Sequence, residues 1–153
     1  MAGVILIYSL KDQNFLLQGP GSETSRTGPN GPQGPSGTIL NYVDRNPNDG
    51  SFLRAVGSTT IENRASFVSP GSYALSTVYV WVSIAPGVGD SRVFTFRLNG
   101  VNTALSVTIS GASTTGTDLV NSVAVTPGDL ISLLHTEIGN PNNTGLSVSA
   151  ILN

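Results

Sequence analysis

The sequence has no cysteine, a single histidine and a single tryptophan, and only 10% of its 153 residues are charged. Each shortage excludes something. Without cysteine there is no disulfide, no thiolate metal site and no cysteine nucleophile, so stability must come from an apolar core or from association. The charge content lies well below the usual quarter. Ser, Thr and Asn must then supply the polar surface, which suits a surface buried against neighbours or crowded into an outer layer. A formal net charge of −2 gives no basic footprint for nucleic acid. The apolar opening Met1–Leu10 is too short to span a bilayer, and Lys11 follows it rather than precedes it, so it also makes a poor signal peptide. Neither a nucleic-acid partner nor a membrane span is expected, and a chain without an export signal would reach an exterior only by assembly inside a cell that later lyses.

Three regions differ in composition. Residues 1–18 read as an apolar anchoring arm with strand character, through Val4, Ile5, Leu6, Ile7 and Tyr8 and then Phe15, Leu16 and Leu17. Residues 19–37 are rich in Gly, Pro, Ser and Thr. Residues 38–153 read as closely spaced strands. Within the middle region, Gly28-Pro29-Asn30-Gly31-Pro32-Gln33-Gly34-Pro35-Ser36-Gly37 is a run of Gly-X-Y triplets with proline at every X. Only glycine fits the axis of a collagen triple helix, and X prolines preset the polyproline II conformation. A short collagen-like neck, roughly 30 Å at ~3.1 Å per residue, is the expectation. Three triplets are too few to hold three chains together unaided.

The last region shows no long 3.6-residue period. Strands are expected near Ile39–Val43, Ser51–Val56, Ala65–Val68, Tyr73–Ile84, Val93–Leu98, Val101–Ile109, Leu119–Val125, Leu130–Ile138 and Leu146–Leu152. Turn signals separate them, among them Ser69-Pro70-Gly71, Ala85-Pro86-Gly87 and Pro127-Gly128-Asp129. The pair Asn99-Gly100, between Phe94/Phe96/Leu98 and Val101, marks a type I′ hairpin. Many short strands without helices predict an all-β head, a sandwich, jelly roll or barrel.

The segment Tyr73–Ile84 is apolar on both sides. Ala74, Val78, Val80, Val82 and Ile84 alternate on one face, and Tyr73, Leu75, Tyr79 and Trp81 on the other. A two-sheet head has one interior, so the aromatic face needs a cover, and aromatic residues are enriched at interfaces. A neighbouring subunit is the economical cover, which makes Tyr73, Leu75, Tyr79 and Trp81 the candidate trimer interface; a long loop of the same subunit over Tyr79 and Trp81 is the alternative. The neck glycines Gly28, Gly31, Gly34 and Gly37 ask for the same threefold symmetry.

Ser69-Pro70-Gly71-Ser72-Tyr73 resembles the opening of a long strand in the tumour necrosis factor and complement globular-head jelly rolls. Thr126-Pro127-Gly128-Asp129-Leu130-Ile131-Ser132-Leu133 resembles a segment near the end of those domains, and Phe96-Arg97-Leu98-Asn99-Gly100-Val101 their central hairpin. Heads of this kind occur on the collagen-like glycoprotein of bacterial spores and on viral fibres. The resemblance covers about residues 38–153 and implies a trimeric jelly roll. The neck is much shorter than in those families, and the arm matches none of them.

Candidate chemistry is sparse. His135 shares a strand face with Ile131, Leu133 and Glu137, and nothing in sequence supplies the nucleophile and orienting group a catalytic base needs. A structural or interface role is expected of it. Asp44 and Asp49 are the least poor metal candidates, but no loop has the convergent oxygens that calcium requires. Asp129 reads as turn chemistry. Tyr79 and Trp81 with Asn140–Thr144 offer an alternative sugar site. The sequence thus predicts a non-enzymatic structural protein without cofactor or metal: a homotrimeric fibre or spike on a virion surface, docked to a capsid or other particle protein by its arm. A spore-surface filament head and a receptor- or glycan-binding module are the alternatives.

Overall fold

The computed structural model describes residues 5–8, 15–18 and 38–153. The chain divides into two units, residues 1–36 and 37–153. In the first, β1 (Ile5–Tyr8) and β2 (Phe15–Gln18) pair antiparallel, with Ile5 opposite Gln18 and Tyr8 opposite Phe15. Val4 and the neck glycines Gly28, Gly31, Gly34 and Gly37 lie outside the described residues.

The second unit is an all-β sandwich of two antiparallel sheets. Its strands are β3 (Thr38–Asp44), β4 (Ser51–Leu53), β5 (Ser58–Thr59), β6 (Phe67–Val68), β7 (Tyr73–Val82), β8 (Gly87–Leu98), β9 (Val101–Gly111), β10 (Thr115–Val125), β11 (Leu130–Ile138) and β12 (Leu146–Leu152), with one 3-10 turn at Glu62–Arg64. One sheet has the order β10-β7-β12-β3. The other runs β5-β4-β11-β8-β9, and β6 also pairs with β11. Leu75, Val78, Val80, Val82, Val148 and Ala150 of the first sheet meet Phe94, Phe96, Leu105, Ile109, Ile131 and Leu133 of the second in one core. Fully burying each such side chain contributes roughly 1.5–3 kcal/mol. Tyr42 of β3 sits edge-on to Phe96 of β8, with ring centroids 6.1 Å apart. Burial pushes its phenol pKa up to about 12.

The turns follow the expected chemistry. Asn99 and Gly100 both have positive φ, 52° and 80°, as a type I′ turn requires. Asp129 accepts hydrogen bonds from the Thr126 backbone N–H (2.7 Å) and hydroxyl, and from Asn99 Nδ2 (2.7 Å), tying two turns together. Those bonds hold its carboxyl below the usual range. Gly116 is a close-approach glycine: a Cβ there would stand 2.6 Å from Val107 Cγ1.

Strand β7 departs from the expected alternation. Thr77 adopts φ 53°, and the pairing shifts between Ser76 and Val78 on the β10 side and between Ser76 and Tyr79 on the β12 side. An extra residue in a strand turns every later side chain to the other face. Leu75 is therefore in the core with Val78 and Val80 instead of beside Tyr79 and Trp81, and Tyr73 packs half-buried against the same core. Ala74 is exposed instead. Ile84, expected on the inner face, lies beyond the strand and is exposed.

Candidate functional site

Beyond the bulge, Tyr79 and Trp81 project from the outer face of the four-stranded sheet and are 52% and 51% exposed. The registers place their neighbours. Thr115, Trp81, Ser147 and Val43 form one row across β10, β7, β12 and β3. Thr117, Tyr79, Ser149 and Asn41 form the next, and Ser122, Ser76, Ile151 and Ile39 a third. No position in the three rows is charged. Ile39 is 66% exposed, so apolar surface reaches across the sheet.

The β10 side of this surface has its own construction. Register is lost between Asp118 and Ser122, and the intervening bulge presents Leu119 and Val120 to solvent, Val120 at 91%. Asp118 builds the bulge. Its Oδ1 accepts the Val120 and Asn121 N–H groups at 3.2 and 3.0 Å, and its Oδ2 accepts Asn121 Nδ2 at 2.9 Å and the Ser106 N–H at 3.1 Å. Burial alone would raise its pKa, but these bonds outweigh burial and hold the carboxyl low.

His135 is the hub of a different, internal cluster. It is wholly buried; its Nδ1 donates to Asn48 O (3.2 Å), so Nε2 is left to accept from Arg92 (3.1 Å). Burial first, and the Arg92 charge as well, bring its pKa down to about 4, so it is neutral at pH 7. The 4.0 Å approach of Glu137 is then no ion pair. Glu137 instead pairs with the buried Arg92 at 2.6 Å, and Arg92 also donates to Asn142 O at 2.8 Å. The cluster ties Asn48, Asn142 and two strands together at one end of the sandwich.

The remaining candidates serve loops. Asp44 Oδ1 accepts the Arg45 N–H (2.6 Å), and Asp49 accepts the Glu137 N–H (2.7 Å). Among the described residues no three His, Asp or Glu side chains converge as metal ligands. In Asn140–Thr144, the Asn142 side chain donates to Ala85 O, and the Thr144 hydroxyl accepts the Ile84 N–H. The structure does not bring that loop together with Tyr79 and Trp81 in a shared hydrogen-bonded site. Sequence reading missed Arg92; its signal was the two-residue phase with Phe94 and Phe96. No family model matches the chain, and no curated protein is significantly similar to it. No described helix is long and apolar enough to cross a membrane.

Proposed function

We propose that the chain is a structural surface protein that works as a homotrimer. Its heads associate through the outer face of the β10-β7-β12-β3 sheet, on a collagen-like neck, and its apolar arm docks to a particle protein. A short virion fibre or spike is the form this reading takes, with a spore-surface filament as the alternative setting. The observation that carries it is the uncharged outer face bearing the half-exposed Tyr79 and Trp81. Interfaces are depleted in charge and enriched in Tyr and Trp. Each ring has an apolar area of about 150–250 Å², so burying its exposed half would yield about 2 kcal/mol.

The topology supports a jelly roll. Strands β3, β7, β10 and β12 lie in one sheet and β4, β8, β9 and β11 in the other, so the chain crosses repeatedly between them. The glycines Gly28, Gly31, Gly34 and Gly37 argue for threefold over twofold association. Leu119 and Val120 extend the apolar surface past the β10 edge.

Trp81 is the only tryptophan, so its fluorescence reports on this surface alone. In the assembled protein its emission should be blue-shifted and poorly quenched by acrylamide, and it should redden on dilution. Red, readily quenched emission at all concentrations would contradict the reading.

A further inference from the structure

The head carries seven carboxylates, and each accepts a hydrogen bond or an ion pair: Asp44, Asp49, Asp90, Asp118 and Asp129 from backbone N–H groups, and Glu62 and Glu137 from arginines. Of its five arginines, Arg92 and Arg97 take Glu137 and Glu62 as partners. Arg45, Arg54 and Arg64 are exposed and make no ion pair among the described residues. These three are not scattered. Arg54 and Arg64 line a depression of about 210 Å³ with Leu40, Tyr42 and Phe67. Arg45 lines a second one, about 470 Å³, with Val43 and Val56. Both follow the same strand, β3.

Among the described residues that strand ends its sheet, with β12 on one side only. Val43 O accepts the Gly57 N–H at 2.8 Å, so the carbonyl of Val43 points away from β12. In an antiparallel ladder both main-chain groups of a residue point the same way and successive residues alternate. Ile39 and Asn41 therefore direct N–H and C=O to the free edge. Among the described residues, a free ladder edge and arginines without an ion pair occur together beside an apolar trough.

We propose that the β3 edge is a docking site for an extended acidic peptide of a partner protein, which adds as a strand and places its carboxylates on Arg54 and Arg64. Main-chain bonds to Ile39 and Asn41 supply affinity, and the arginines select the partner. The Asp44 carboxylate beside Arg45 disfavours an anion at that end, so the acidic side chains lie toward Arg54 and Arg64. The site lies within one subunit and does not depend on self-association.

The probe is a fluorescent eight-residue peptide of alternating glutamate and valine, titrated onto the full chain. Three competitors accompany it: the glutamine counterpart, the same peptide N-methylated at alternate residues, and a sulfated heparin hexasaccharide. The glutamate peptide should bind, and both peptide competitors should bind at least tenfold more weakly. Arg54→Glu with Arg64→Glu, both exposed substitutions, should weaken binding at least tenfold while leaving the oligomeric mass unchanged. No binding of the glutamate peptide overturns the proposal, as does equal binding of the N-methylated form. Binding of the hexasaccharide alone would assign the arginines to an anionic sugar and overturn it equally.

Discussion

The two sheets treat their outer faces differently. Over the six-stranded sheet, the protein covers itself. Glu62, from the 3-10 turn, accepts the Ser132 hydroxyl at 2.6 Å and pairs with Arg97 at 3.0 Å, and the Arg97 guanidinium lies 5.6 Å from the Phe52 ring centroid. Phe52 is buried as a result. Over the four-stranded sheet, Tyr79 and Trp81 have the same need of cover, but their directly paired neighbours are the short Thr115, Thr117, Ser147 and Ser149. Among the described residues, the sandwich thus closes one aromatic surface and leaves the other open. The difference is between a face that the sandwich finishes by itself and a face that the proposed association would finish.

The sharpest way to break this comparison is to charge the open face. Tyr79→Ser with Trp81→Arg should abolish association, giving single subunits by sedimentation with an unchanged far-ultraviolet spectrum. Assembly that survives would place the interface elsewhere. Inside the same strand, Leu75→Ala should cost about 2–5 kcal/mol in urea unfolding, as a buried leucine does. Its exposed neighbour Ala74→Ser should change stability by less than ~0.5 kcal/mol. Similar costs at the two positions would refute the face switch at Thr77.

The layer beneath the closed face has a pH signature. The pKa of His135 falls from 6.5 to about 4 on folding. The unfolded chain therefore takes up a proton below pH 6.5 that the native state refuses until about pH 4. Stability is full above pH 6.5 and declines by about 3 kcal/mol as pH falls through that window. His135→Gln should flatten the decline between pH 6.5 and 4.5, measured by thermal unfolding; an unchanged slope would contradict the buried neutral imidazole. The smallest effect belongs to the closed face itself. Glu62→Ala removes one hydrogen bond and one partly exposed ion pair, so it should cost about 1 kcal/mol and leave the oligomeric mass as it was.

Much of the head was legible because its punctuation is local. Leu130–Ile138 and Leu146–Leu152 have the bounds that alternation and turn residues gave, and Asn99-Gly100 turns as its composition requires. What was not legible depends on backbone conformations that side chains do not announce. Thr77 is β-branched at positive φ, a conformation no sequence rule favours, and it leaves Leu75 in the core and Tyr73 half-buried against it, off the expected interface. The start of β8 was hidden by Gly87 and Gly89, at φ 113° and 85°, which read as a turn. Arg92 was lost with it, and so was the buried partner of His135. The two-residue β5 is too short to carry a pattern. Of the expected interface, only Tyr79 and Trp81 stand on the open face.

The outer face of the four-stranded sheet is tested most directly by the solution mass of the full chain, measured by sedimentation equilibrium at micromolar concentration. The account predicts three copies of the 15.8 kDa polypeptide, about 47 kDa. A stable species at the mass of one chain, with Trp81 still open to solvent, would contradict it.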